Sequence, residues 1–248
     1  MKNADSQLIF GTHSLSEAIN AGKEINKVFF RKGIKSELFT ALFRKIQEYG
    51  IPYQFVPVEK LNRLVNGNHQ GVVAQISLIE YKRLEEIIQR TYEEGRDPFI
   101  IVLDGITDVR NFGAIARTAE CAGANAIVVP SKGSVSITPD AVKTSAGALN
   151  RIAVCRSNDL KTSLTYLQES GIKIVAASEK SAGNYFSADL TGPVALLMGS
   201  EDTGISKTLM DFADTAVCIS MKGAIGSLNV SVAFGIIAFE IVRQRHQA

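Results

Sequence analysis

Apolar residues recur along the chain in two periods, and the change from one to the other marks the elements. Alternating or continuous apolar runs predict strands at Lys27–Arg31, Tyr53–Val56 and Val72–Ile76. Between them, a spacing of three and four predicts helices at Ser14–Ala21 and Ser36–Tyr49, and Pro57 opens a short helix through Leu64. Ser14 with Glu17 three residues on reads as a capping box, and Gly50 as the stop of the second helix. The polar run 66–71 (NGNHQG) is a loop. Residues 1–78 thus form a small α/β domain.

The pattern changes at residues 79–97, which are dense in charge and poor in strand formers. This stretch reads as a connecting helix or linker. From Phe99 onward, apolar strands alternate with helices. Strands are predicted at Phe99–Asp104, Ala126–Pro130, Ile152–Val154, Ile172–Ala177, Val194–Met198 and Thr215–Ile219. Helices are predicted at Asn111–Ala122, Pro139–Leu149, Asp159–Glu169, Ser206–Phe212 and Leu228–Arg243. Continuous apolar strands between helices mean an α/β fold with a parallel sheet covered on both faces. Residues 98–248 form this second domain.

Composition narrows the picture only a little. Of the 248 residues, 46% are hydrophobic, enough for a sizeable core, and the net charge is +2. The positive excess lies in residues 1–79, around Arg31, Lys32, Lys35, Arg44 and Lys45. That suits RNA contact and an ordinary solvated helix face equally. Cys121, Cys155 and Cys218 and the three histidines are scattered, with no metal-ligand or redox spacing, so no metal site is expected. The N-terminus lacks a signal-peptide pattern and no apolar run is long enough to span a membrane. A soluble, cytoplasmic protein without membrane or DNA partners is expected.

Three segments at predicted strand ends carry candidate chemistry, where ligands bind on such sheets. In 103–124, Asn111 stands near a helix start and Arg117 six residues on. Helix cap and surface arginine explain them as well as a phosphate clamp does. In 196–206, Gly199 and Gly204 bracket Glu201. Ile205 and Ser206 stand where a nucleotide-triphosphatase loop needs Lys and Ser/Thr, which excludes that reading. In 219–241, Gly223 and Gly226 precede Ser227 and Asn229 at the start of a helix that Ser227 alone could cap. No G-x-G-x-x-G follows the first strand, against a dinucleotide site.

Taken in order and spacing, Asn111-x5-Arg117, Met-Gly-Ser-Glu at 198–201 and Ser-Leu-Asn-Val-Ser at 227–231 resemble the SpoU family of SPOUT RNA methyltransferases. The segments 9–19 and 67–74 are similar to the small RNA-binding domain of the 23S rRNA guanosine 2′-O-methyltransferase group. The likeness covers the chain apart from 79–97. It departs at Val109-Arg110, where relatives often have Pro-His.

The resemblance implies a trefoil knot in the C-terminal domain, a homodimer, and S-adenosylmethionine (SAM) as methyl donor with no metal. Cofactor contacts would come from Met198, Gly199, Ile219, Met221 and Leu228. Arg117, Asn111, Glu201, Ser227 and Asn229 would serve catalysis, and His69, Gln70, Arg31, Lys32 and Arg110 would meet RNA. The implied reaction is methyl transfer to a ribose 2′-OH, in first place of a 23S rRNA guanosine. Arg117 stands either as the base or as an electrostatic anchor, since a guanidinium hardly deprotonates in proteins. The competing readings are a tRNA or resistance-type rRNA methyltransferase, and a non-catalytic ribosome-assembly factor.

Overall fold

The computed structural model describes residues 8–135 and 137–247. The chain divides into two compact units, one of residues up to Glu80 with the short segment ending at Pro139, the other of Tyr81–Val135 and the residues from Asp140 on.

The first unit runs β1 (Leu8–Phe10), α1 (Thr12–Asn20), β2 (Ile25–Arg31), α2 (Glu37–Glu48), β3 (Tyr53–Val56), α3 (Val58–Leu64) and β4 (Val72–Ile76). Its sheet has the order β1-β4-β2-β3, with β2 and β3 parallel and the other pairs antiparallel. Alternation along β2 supplies both faces of the sheet. Val28 and Phe30 enter one core with Leu15, Leu42 and Ile46 from α1 and α2. Phe29 enters the other, with Val73 and with Leu61 of α3. Ser36 caps α2 by accepting the Phe39 N–H at 3.1 Å. Gly50, at φ 61°, closes it as Ile51 donates back to the Ile46 carbonyl. The predicted capping box does not form. α1 starts two residues before Ser14, because Gly11 at φ 90° turns the chain sharply out of β1.

The second unit continues with β5 (Tyr81–Lys82), α4 (Leu84–Glu93), β6 (Phe99–Asp104), α5 (Val109–Cys121), β7 (Ala126–Pro130), α6 (Pro139–Thr144) and β8 (Ala153–Ser157). It ends with α7 (Leu160–Glu169), β9 (Lys173–Ala177), β10 (Val194–Gly199), α8 (Lys207–Met210), β11 (Thr215–Val217) and α9 (Val230–Arg245). All paired strands of its sheet are parallel, in the order β11-β9-β10-β6-β7-β8-β5. The chain travels outward one way from β6 through β7 and β8, then crosses to β9 on the other side of β6, returns with β10 to the place between β9 and β6, and ends at the edge with β11. The topological switch therefore falls between β6 and β10, where such sheets open a crevice at the strands' C-terminal ends.

Residues 79–97 are more than a linker. Tyr81 and Lys82 pair with β8 as the sheet's edge strand, and the Arg156 guanidinium lies 3.8 Å from the centre of the Tyr81 ring. Leu84 and Ile88 of α4 are buried with Val128, Cys155 and Leu164. Their helical spacing shows once the surrounding charges are read as the solvent face. The predicted helix over 139–149 is broken. α6 stops at Thr144, Ala146 and Gly147 take positive φ, and a 3-10 turn follows at Ala148–Asn150. Ser145 makes the break locally: its hydroxyl donates to the Val142 carbonyl and accepts the Leu149 N–H.

Two outcomes test this arrangement. Ile88→Ala should cost about 2–5 kcal/mol in urea unfolding, the range for emptying a core site; a loss below about 0.5 kcal/mol would return α4 to the status of a loose connector. Burial, with help from Glu85 and Glu86, pushes the Cys155 thiol up to about 12. In the native protein a disulfide reagent should therefore label exposed Cys121 and leave Cys155 untouched until denaturant is added.

Candidate active site

The loops after β6 and β10 face each other across the switch point and are tied together. Asp104, at the end of β6, accepts the Ser206 N–H at 2.8 Å and so pins the far end of the 200–206 loop. The near end cannot open, because the loop folds back on Gly199. A Cβ there would overlap the Gly204 carbonyl carbon and the Ile205 nitrogen, so only glycine fits. Ser200 and Thr203 share a hydroxyl bond of 2.8 Å inside the turn.

This pinned loop delivers Glu201 to the start of α9. Its Oε1 accepts the Val230 backbone N–H at 3.1 Å and a bond from Asn229 Nδ2. α9 has no acidic residue in its own first turn, so the carboxylate comes from outside to satisfy donors the helix leaves free. Asn229 is the N-cap, its Oδ1 accepting the Ser231 N–H at 3.0 Å. Its Nδ2 also donates to Asn111 Oδ1 at 2.9 Å. Glu201, Asn229 and Asn111, 118 positions apart at the extreme in the last bond, thus form one polar cluster joining α9, α5 and the 200–206 loop.

The cap assignments read from the sequence change. Asp108, not Asn111, caps α5 and accepts the Asn111 N–H at 2.8 Å, which frees the Asn111 side chain for Asn229. Asn229, not Ser227, caps α9; Ser227 is exposed and outside the cluster. Asp104 and Asp108 were missed as supports, although an aspartate at a strand end and one three residues before a polar helix position are both recognisable signals.

Arg117 is not part of the cluster. Six helical residues place it about 120° around α5 from Asn111. It is exposed and makes no hydrogen bond or ion pair among the described residues. It shares a helix face with Arg110, seven residues away and also exposed, so α5 presents a basic outward stripe. Beside α5 runs α9, which is apolar nearly all round, yet Val232 and Phe239 are half exposed and Leu228, just before it, is 38% exposed.

Of the residues expected at a cofactor, Met198 and Gly199 are buried at the end of β10. Ile219 and Met221 are half-buried, and they and Leu228 lie in the segment 219–228 that follows β11. Among the described residues this segment makes no backbone–backbone hydrogen bond, and the space beside Gly223 and Gly226 is open. Its N–H and C=O groups are available beside exposed Ile225 and Leu228. Asn184 braces its start through a bond from Nδ2 to Ser220 Oγ, a support the sequence did not reveal. No group of three or more metal-ligating side chains occurs among the described residues.

In the small unit, His69 is buried rather than displayed. Its Nδ1 accepts the Gly71 N–H at 2.9 Å and its Nε2 meets Asn62 Oδ1 at 2.8 Å. The ring staples the 66–71 loop to α3, a structural role that its expected place among the RNA contacts did not include. Gln70, Arg31 and Lys32 are exposed.

These features define an open α/β domain whose switch point, the usual ligand position on such sheets, is bounded by a hydrogen-bonded polar cluster, following a small α/β domain. The sequence model of the SpoU rRNA Methylase family matches residues 98–239, and that of the RNA 2′-O ribose methyltransferase substrate-binding domain matches residues 8–82. A Staphylococcus epidermidis protein bearing the name of the TrmH family tRNA/rRNA methyltransferases is 33% identical over 240 residues, 97% of this chain and 96% of its own. The chain belongs to the SpoU (TrmH) family of RNA methyltransferases. The crystal structure of the SpoU methyltransferase AviRb from Streptomyces viridochromogenes shares the fold, with a TM-score of 0.62 at 24% identity over 97% of this chain and 90% of that one. AviRb has also been crystallised with AdoMet, that is, SAM. The A. aeolicus TrmH/SpoU tRNA modifying enzyme matches with a TM-score of 0.57 at 29% identity, over 66% of this chain and 85% of its own.

The pinned loop generates a direct test. Gly199→Ala should displace the 200–206 loop, lower the thermal midpoint, and weaken SAM binding measured by calorimetry at least tenfold, an effect on the order of 1.4 kcal/mol. Unchanged binding would show that the turn at Gly199 is not what shapes the crevice.

Proposed function

We propose that the protein transfers a methyl group from SAM to a ribose 2′-OH of RNA, with a 23S rRNA guanosine as the first substrate to test. One arrangement carries this reading: the segment after β11, without a backbone–backbone hydrogen bond among the described residues, runs into the Asn229–Glu201–Asn111 cluster at the switch point, and α5 displays on another face an arginine with no ion pair among them. Residues 219–228 suit an adenosine, with backbone groups for its polar edges and Ile225, Met221 and Leu228 for its faces. The AdoMet complex of AviRb supports that choice. The family model that matches residues 98–239 is that of the SpoU rRNA Methylases, which favours ribosomal RNA as the first substrate to test. The trefoil knot implied by the family is part of the same proposal.

SAM, when bound, supplies a methyl carbon already made electrophilic by its sulfonium. The chain's own task is to hold the ribose oxygen in line and to favour loss of its proton. Arg117 is free to grip the phosphate beside the target and to stabilise the alkoxide as it forms. A guanidinium hardly deprotonates in proteins, so Arg117 acts as anchor and the proton passes to water. Asn111, Asn229 and Glu201 fix α5 against α9 and so set where Arg117 stands. The exposed apolar stripe of Leu228, Val232 and Phe239 supports a homodimer, since an all-round apolar helix is stable when covered on both sides.

Arg117→Ala should lower transfer to rRNA by about 10²–10³ with SAM affinity within twofold of wild type. Arg117→Lys should recover only part, because an ammonium cannot make the bidentate contact. Methylation is read as protection of one phosphodiester from alkaline cleavage. Near-wild-type transfer by Arg117→Ala would remove Arg117 from the mechanism, and methyl groups found only on bases would overturn the 2′-O assignment.

A further inference from the structure

One face of the small unit's sheet is only part-covered by α3. Its side chains follow from strand register. Phe10, Val73, Phe29 and Gln54 form one row across β1, β4, β2 and β3, and Leu8, Gln75 and Lys27 form the next. Leu61 of α3 seals the centre of this face over Val73 and Val56. One flank of α3 holds the His69 loop through Asn62. The other flank projects Lys60 back over the sheet.

Phe29 is the focus of this second flank. The Lys60 Nζ lies 5.3 Å from the centre of its ring and the Lys27 Nζ 5.5 Å. Neither lysine is paired with a carboxylate among the described residues. Burial holds the Lys27 ammonium below the usual lysine range, and Lys60 adds to the effect. Two like charges therefore share one ring with no counter-ion. Their register neighbours Gln54 and Gln75 carry amides rather than acids. Arg31, two residues beyond Phe29 on the same side of β2, is exposed and extends the positive strip.

We propose that this face, centred on Phe29 between Lys27 and Lys60, binds single-stranded RNA. The two ammonium groups would take backbone phosphates, the part-exposed ring a base face, and Gln54 and Gln75 base edges. The charge selects the occupant: a cation pair around an aromatic ring fits a polyanion with planar bases, and among the described residues the two rows of the face carry no acidic side chain to compete for it. The inference rests on the RNA methyltransferase reading above and names a binding surface for its substrate.

The test uses the full chain and a fluorescein-labelled single-stranded RNA oligonucleotide, with rRNA as methyl acceptor. Lys27→Gln combined with Lys60→Gln should weaken RNA binding about tenfold near physiological salt and reduce the salt slope by about 1.4, two phosphates at about 0.7 each. Phe29→Leu, which keeps an apolar side chain in the core, should weaken it by a similar factor through lost stacking. SAM affinity should stay at the wild-type level in both variants, as should RNA binding by the control Lys23→Gln. RNA affinity within twofold of wild type for the double lysine variant would overturn this surface while leaving the enzymatic reading intact. A wild-type chain that neither binds RNA nor transfers methyl would overturn both.

Discussion

The carboxylate of Glu201 at the first turn of α9 is the contact on which the site depends. A helix start leaves several N–H groups without partners, and α9 brings no acid of its own. Glu201 answers that need from a loop that Asp104 and Gly199 have already fixed in place. Asn229 then uses its second function, the amide N–H, to reach both Glu201 and Asn111. Three segments far apart in sequence become one rigid edge of the crevice. Their polar groups satisfy one another, while Arg117, on another face of α5, makes no ion pair among the described residues.

That division of labour is chemically sensible. Residues that set geometry are bonded to each other, and the residues that would meet a ligand are not. The 219–228 segment keeps its backbone groups uncommitted, and α9 keeps an apolar stripe without cover. Both are costly features in an isolated chain, since open polar backbone and exposed apolar surface each gain from a partner. The small unit shows the same contrast. His69 is consumed in holding its loop, whereas Lys27, Lys60 and Phe29 crowd together with no carboxylate paired to either lysine among the described residues.

Most of the fold could be read along the chain, because the strands of a parallel sheet are apolar throughout and their runs stand out between helices. The errors are local and have physical causes. A glycine turn displaced the start of α1, a serine broke α6, and a strand of two residues was too short to show any period. Asn111 and Ser227 look like caps in sequence, but a side chain can cap or can bridge, and nothing local says which.

By itself, the sequence determined the α/β architecture, the two-part organisation, the likeness to SpoU methyltransferases and the short motifs that carry it. Those are properties of neighbouring residues: hydrophobic period, spacing and residue type. Only the tertiary structure decided that Glu201 bonds to the start of α9, that His69 is a staple, and that Arg117 stands apart from Asn111. It also decided that Lys27 and Lys60, far apart along the chain, share one aromatic ring. Each of these depends on which distant groups meet, and a hydrogen bond or a ring contact acts only over a few ångströms of space, whatever the separation in sequence.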